Sequence, residues 1–389
     1  MKYPKIYLSI DNCFAAKRWT KPEDWMAVVM DCGLTQIECS ADTECDMLYS
    51  DRGYLDEWSD SVARESAEKG INIASVYTGH GTYSTLGLTH TDRDCRERML
   101  TQWLFPHIDN AAKLKAIAGF YCHAFDDSAL QDPRLYAEYK DILYNQMGRI
   151  AVYCAERGVM PSLEQMYSPQ QYPWRISDAK DLIKGISRRY APMYITIDTG
   201  HQYGQQLFLK PTRGEILDAV SEGGKLYVGP EKCARIFEDA KSGEISADQA
   251  ADEILEINEA YPHMFAERSD SDTWKWLREL GRYSPLVHLQ QTDNKASAHK
   301  GFSPADNAKG CVTGEKVLRS LYEGYCLPEE EGMPEPLDKI YLTLELFYSI
   351  VTSGNDIIKD LKASVGYWRR FVPEDGIPLD ELVKNLGVR

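Results

Sequence analysis

Eight short apolar runs, each followed by a longer stretch with helical spacing, divide the sequence into repeating units. The first run is Lys5-Ile6-Tyr7-Leu8-Ser9-Ile10, and residues 22–32 follow as a helix with Thr20 as its N-cap and Gly33 closing it. Further strands are expected at 35–40, 71–77, 119–125, 159–166, 193–201, 286–290 and 340–347. Helices are expected near 54–69, 91–114, 133–157, 177–188 and 356–371. Strands that alternate with helices pair in parallel, and eight such units close into a (β/α)8 barrel of the α/β class. The competing architecture, an open doubly wound sheet, would place a glycine-rich phosphate loop after a strand, and no Gly-x-Gly-x-x-Gly occurs.

Two segments interrupt the repeat. Residues 205–283, between strands six and seven, far exceed an ordinary connection. Their content of helix formers, at 247–260 and 272–280, predicts a helical insertion over one barrel mouth, within a single domain spanning 1–389. The second, 322–338, contains Pro328-Glu329-Glu330-Glu331-Gly332 and reads as a solvated surface loop.

The formal net charge of −16 argues against nucleic acid as a partner, since phosphate binding needs a basic footprint. No window approaches the ~20 apolar residues of a membrane span, and the first ten residues are too polar for a signal peptide. The ten cysteines include no Cys-x-x-Cys pair. They read as reduced thiols of a cytoplasmic protein, with Cys39, Cys122 and Cys154 in the core.

The C-terminal ends of barrel strands open onto the face where chemistry is done. That face collects Asp11, Glu38, His80, His123, Glu164, Asp198, His201, His288, Gln290 and Glu345. A carboxylate within an apolar strand is costly unless paired or metal-bound. Glu164, Asp198, His288 and Glu345 end four successive strands and would converge near the barrel axis. Three carboxylates that close repel one another and need a cation. With one imidazole they form a hard to borderline donor set suited to one divalent ion, Mn²⁺ first, with Mg²⁺, Co²⁺ or Zn²⁺ as alternatives.

The order Leu163-Glu164, Ile197-Asp198-Thr199-Gly200-His201, Val287-His288 and Leu344-Glu345 resembles the xylose-isomerase-like barrel superfamily of sugar and sugar-phosphate isomerases and epimerases. The resemblance spans nearly the whole chain as strand order, and Asp198-x-x-His201 is its sharpest motif. It implies Glu164, Asp198, His288 and Glu345 as metal ligands, Glu164 and Glu345 as the acid/base pair, and His201 as a substrate contact. It also implies a small carbohydrate substrate and a homo-oligomer, dimer or tetramer. Two positions depart from the ketose 3-epimerase pattern: Gln170 stands where a second Glu is usual, and Asn294 where an Arg is usual.

His80, His123, Gln290 and Glu38 are further substrate-binding candidates by their strand-end positions. Lys295, with Ser297, His299 and Lys300, lies in the loop after strand seven, where barrel enzymes often hold a phosphate. The aromatic segment Tyr167–Trp174 follows strand five and is placed to line a pocket. The chemistry expected of such a site is proton transfer through a metal-stabilised enediolate. A lyase, either a dehydratase or a carbon-glycoside-cleaving enzyme, could use the same ion and base with His80 or His123 as acid. A metal-dependent phosphodiesterase would need more ligands and a basic groove, and no Gly-x-Ser-x-Gly elbow supports a serine hydrolase.

Overall fold

Alternation along the first strand sets the two sides of the sheet. In β1 (Lys5–Asp11), Ile6, Leu8 and Ile10 are fully buried in the apolar layer beneath the helices, while Tyr7, Ser9 and Asp11 point the other way, into the barrel. The same division recurs in β2 (Gln36–Ser40), β3 (Asn72–Tyr77), β4 (Ile117–Phe120), β5 (Pro161–Glu164), β6 (Tyr194–Asp198), β7 (Leu286–Leu289) and β8 (Lys339–Leu344). Each strand pairs in parallel with the next and β8 returns to β1, so the sheet closes into a (β/α)8 barrel. The structure, a computed structural model, describes residues 3–43, 45–46, 48–79, 87–121 and 125–386.

The barrel interior is unusually rich in hydroxyls: Ser9, Ser75, Ser162, Thr196 and Thr343 are all fully buried. Tyr7, Tyr341, Leu286 and Tyr77 belong to a small apolar cluster separate from the outer core. A ninth strand, β9 (Ile377–Pro378), runs antiparallel to the lower end of β1, whereas β2 meets β1 only at Ile10 and Asp11.

Several boundaries differ from the sequence expectation. Strand four starts earlier and ends by Phe120; Gly119 sits inside it because the Tyr77 ring occupies the space where a Cβ would stand. β6 stops at Asp198 because the Gly200 and His201 amides turn back onto Asp198 Oδ1. The first helix is Pro22–Asp31, preceded by Lys21 rather than a capping Thr20. The expected helix 91–114 divides into Arg93–Arg98, a wider π-type turn over Met99–Leu104, and Phe105–Leu114. Pro106 has no N–H, and the ladder slips so that the Phe105 amide reaches Leu100 instead.

Of the insertion, Arg213–Glu222, Glu231–Ser242 and Ala247–Asn258 surround their own apolar cluster of Ile216, Val228, Cys233, Phe237, Ala251 and Ile254. Thr273–Leu280 is different. Trp276, Leu277 and Leu280 join the main core and the helix packs on Gly314–Cys326. The acidic loop is pinned rather than freely solvated: Glu330 pairs with Lys184 at 2.5 Å and Glu331 with Arg188 at 3.3 Å. Cys39 and Cys154 are fully buried, as expected, and Cys122 lies outside the described residues. No helix among the described residues is long and apolar enough to cross a membrane.

Candidate metal centre

Parallel register lines up the strand ends. Asp198 is the neighbour of His288 across β6 and β7, Glu164 ends β5, and Glu345 follows β8 by one residue. The ligand atoms offered by Glu164, Asp198, His288 and Glu345 all lie within 4.8 Å of one another. Glu164, Asp198 and His288 are buried, while Glu345, its side chain 12% exposed, opens onto the cavity above.

Asp198 and His288 are each backed by a group outside the quartet. Asp198 Oδ1 accepts the amides of Gly200 (2.6 Å) and His201 (3.0 Å) and the side-chain amide of Gln290 (2.9 Å). Its Oδ2 has no hydrogen-bond partner among the described residues. His288 Nδ1 stands 3.3 Å from Glu164 Oε1 and 3.2 Å from Glu345 Oε2, and its Nε2 stands 2.9 Å from Glu38 Oε1. Glu345 Oε2 is likewise buried without a hydrogen bond among the described residues. A buried anionic oxygen without a partner costs several kcal/mol, and a cation removes that cost. Three carboxylates and one imidazole therefore fit a divalent ion, and the donor chemistry favours Mn²⁺, Mg²⁺, Co²⁺ or Zn²⁺ over a thiolate-loving metal.

The charges also act on one another. Burial drives the Glu164 carboxyl above its ordinary pKa, against the pull of His288. Burial works upward on Glu345 too, but the imidazoles of His288 and His299 outweigh it and hold that carboxyl well below the ordinary range. For His288, burial opposes the charged ring, yet Glu38 and Glu345 prevail and raise it well above the usual imidazole value. Burial raises Asp11, reinforced by Glu38, its register partner on β2.

Above the cluster lies a cavity of about 280 Å³, walled by Glu164, Glu345, His201, Ser297 and His299 and by the rings of Tyr121, Tyr167 and Phe347. His201 Nδ1 donates to the Gln165 carbonyl at 2.8 Å, which orients the ring, and its edge meets Tyr167 with centroids 4.9 Å apart. His299 has left-handed backbone (φ 44°), stacks on Phe347 at 4.0 Å and brings Nδ1 to 3.4 Å from Glu345.

Of the residues singled out in the sequence, the structure brings Glu164, His201 and Glu345 to the cavity wall and gathers Asp198 and His288 beside the two glutamates. Glu38 and Gln290 do not line it: both are fully buried, Glu38 behind His288 and Gln290 behind Asp198. Lys295 is exposed and outside the cavity wall, as is Lys300, because the loop turns Ser297, Ala298 and His299 inward instead. His80 and His123 lie outside the described residues. Tyr167 lines the cavity, whereas Tyr172 and Trp174 are fully buried against Phe125 and Phe208. Tyr121, Phe347 and the stacking of His299 on Phe347 were not foreseen. Phe347 lies two residues past Glu345, a spacing that could have suggested a shared face.

A model of the xylose isomerase-like TIM barrel matches residues 26–241, more than half of the chain. D-erythrulose 1-phosphate 3-epimerase of Brucella abortus (strain 2308) is 28% identical over 104 residues, which cover 26% of this chain and 30% of that protein. The chain therefore matches less than a third of that relative's length. Among solved structures, a protein assigned as a xylose isomerase from Rhodospirillum rubrum superposes with a TM-score of 0.68 at 19% identity, covering 94% of this chain and 99% of the other. L-ribulose 3-epimerase superposes with a TM-score of 0.56 at 14% identity, covering 98% and 97%. At these identities the structural matches speak to the fold.

Proposed function

Because the chain belongs to the xylose isomerase-like TIM-barrel family, we propose that it is a divalent-metal-dependent epimerase or isomerase of a sugar or sugar phosphate. The observation that carries this reading is the convergence of Glu164, Asp198, His288 and Glu345 beneath one cavity at the strand C-termini. These four residues would hold the ion, with Mn²⁺ as the first candidate. A divalent ion there would supply positive charge beside a carbonyl and its neighbouring hydroxyl, which stabilises the negative charge left when the proton on the hydroxyl-bearing carbon is removed.

The chain's own groups do the rest. Glu164 and Glu345 enter from β5 and β8, with β6 and β7 between them. One carboxylate takes the carbon-bound proton and the other returns one, to the opposite face for an epimerase or to the next carbon for an isomerase. His201, its ring fixed through the Gln165 carbonyl, offers a hydrogen bond to a substrate hydroxyl. Tyr167 and Phe347 present apolar faces to the carbon skeleton. Ser297 and His299 supply donors for a terminal hydroxyl or phosphate. The Brucella relative, which acts on D-erythrulose 1-phosphate, supports the phosphorylated class.

The test is a panel of tetrose to hexose ketoses and aldoses, with and without phosphate, incubated with the Mn²⁺-loaded protein in heavy water. Deuterium gained at one carbon with the molecule otherwise intact supports the reading. Release of water or of an aglycone would make the enzyme a lyase. Turnover undiminished after exhaustive chelation would remove the metal from the mechanism.

A further inference from the structure

Glu38 is fully buried, lies outside the ligand quartet and does not face the cavity. We propose that Glu38 is a positioning residue of the metal centre: it holds His288 with the proton on Nε2, and so presents the Nδ1 lone pair to the ion. The inference rests on the metal-centre reading above and adds to it a group that touches neither ion nor substrate.

Three observations support it. The first is direction. Nδ1 of His288 faces the oxygens of Glu164 and Glu345, at 3.3 and 3.2 Å, while Nε2 faces Glu38 Oε1 at 2.9 Å. The nitrogen turned toward the other donors is therefore Nδ1. The second is the lack of competition. Neither His288 Nε2 nor Glu38 Oε1 has a hydrogen-bond partner among the described residues, although both are buried and stand only 2.9 Å apart. A fully buried carboxylate oxygen beside a ring nitrogen is stabilised by a proton on that nitrogen. The third is support from behind. Ser75 Oγ, one strand further on β3, donates to Glu38 Oε2 at 2.5 Å and fixes the carboxylate plane. The Tyr77 ring packs against the imidazole with centroids 4.8 Å apart and restricts its rotation.

A histidine that donates its far N–H to a carboxylate is locked in one tautomer and becomes a more basic ligand. Removing such a partner ordinarily weakens metal binding by about 10–100-fold. A neutral tautomer with its proton on Nδ1 would instead aim an N–H at the ion and block it.

The experiment compares Mn²⁺ affinity by titration calorimetry in the full-length wild-type, E38Q and E38A proteins, with folding checked by circular dichroism. E38A is expected to bind about 10–100-fold more weakly. E38Q should fall between the two, because its amide oxygen still accepts the proton but carries no charge. Wild-type affinity in folded E38A and E38Q overturns the proposal. Nitrogen NMR of ¹⁵N-histidine-labelled wild-type protein loaded with diamagnetic Zn²⁺ reads the tautomer directly, whether or not the variants fold. A protonated Nε2 with metal on Nδ1 supports the assignment, and metal on Nε2 overturns it. A wild-type protein that takes up no divalent ion sinks the metal-centre reading itself, a result distinct from normal metal binding that is indifferent to residue 38.

Discussion

Gln290 gives its side-chain amide to Asp198 Oδ1 at 2.9 Å while its own Oε1 accepts the His299 amide at 2.8 Å. One residue thus ties the candidate metal centre to the loop that carries Ser297 and His299 into the cavity wall. Asp198 Oδ1 is saturated by its three donors, so the carboxylate can offer only Oδ2 inward. The Q290A variant should lose both restraints. We expect divalent-ion affinity to fall by about 10-fold, the lower end for a lost outer partner, with a parallel rise in KM. The Kd from calorimetry checks it; an unchanged Kd would separate Gln290 from the centre. G200A offers a second route to the same lesion, since its Cβ would come within 2.4 Å of the Gln290 side chain.

If Glu164 and Glu345 divide the proton transfers between two faces, their single variants should fail in complementary ways. In heavy water, E164Q should exchange the proton of one epimer and E345Q that of the other, and neither should interconvert them. Loss of either general acid/base should lower kcat by about 10²–10⁴-fold. Both are also ligand candidates, so bound metal per chain must be measured beside the kinetics. Exchange of both epimers by both variants, with the metal retained, would rule out a two-base division.

Much of this arrangement was readable from residue order. Strands buried beneath helices must be apolar on that side, which is why the runs at Ile6, Ile73, Leu163 and Ile195 stand out. A charge ending such a run is conspicuous, and Glu164, Asp198, His288 and Glu345 are conspicuous in that way. What the residue order does not encode is depth. Glu164 is the last residue of β5, whereas Glu38 stands mid-strand in β2, two residues before its end at Ser40, and lies behind His288 rather than at the cavity wall. Gln290 is withdrawn by the turn after Asp198, and Lys295 is turned outward by the loop conformation, neither of which has a periodicity to read. Spacing alone cannot say where the 205–283 excursion ends and the barrel resumes, and the helix Thr273–Leu280, which packs into the main core, lies at that border.

Gly119 should be intolerant of a methyl group for a reason tied to the centre. A Cβ there would lie 2.0 Å from the Tyr77 ring, and that ring packs on His288. The ring cannot shift without disturbing either the barrel interior or the imidazole. G119A is expected to lose about 1–3 kcal/mol of stability, the usual cost of overpacking, and to weaken metal binding as well. Urea denaturation and calorimetry measure the two effects. A variant with wild-type values in both would show that Tyr77 is free to move aside.

Acid sensitivity should have a source outside the candidate ligand quartet. His107 is buried on the helix Phe105–Leu114, with Nε2 donating to the Gly119 carbonyl at 2.9 Å. Burial pushes its pKa down to about 4, and the carbonyl contacts only partly offset this. The unfolded chain takes up a proton at this residue below about pH 6.5, whereas the folded chain does so only below about 4. Between those values unfolding binds a proton, so stability falls as pH falls, by up to ~3 kcal/mol across the window. Above it the term is constant. H107Q, which keeps an N–H donor and cannot titrate, should show a shallower loss of stability from pH 6.5 to 4, by as much as one proton in the slope. Urea midpoints collected across that range decide the matter: parallel pH profiles for wild type and H107Q would assign the acid sensitivity to other groups.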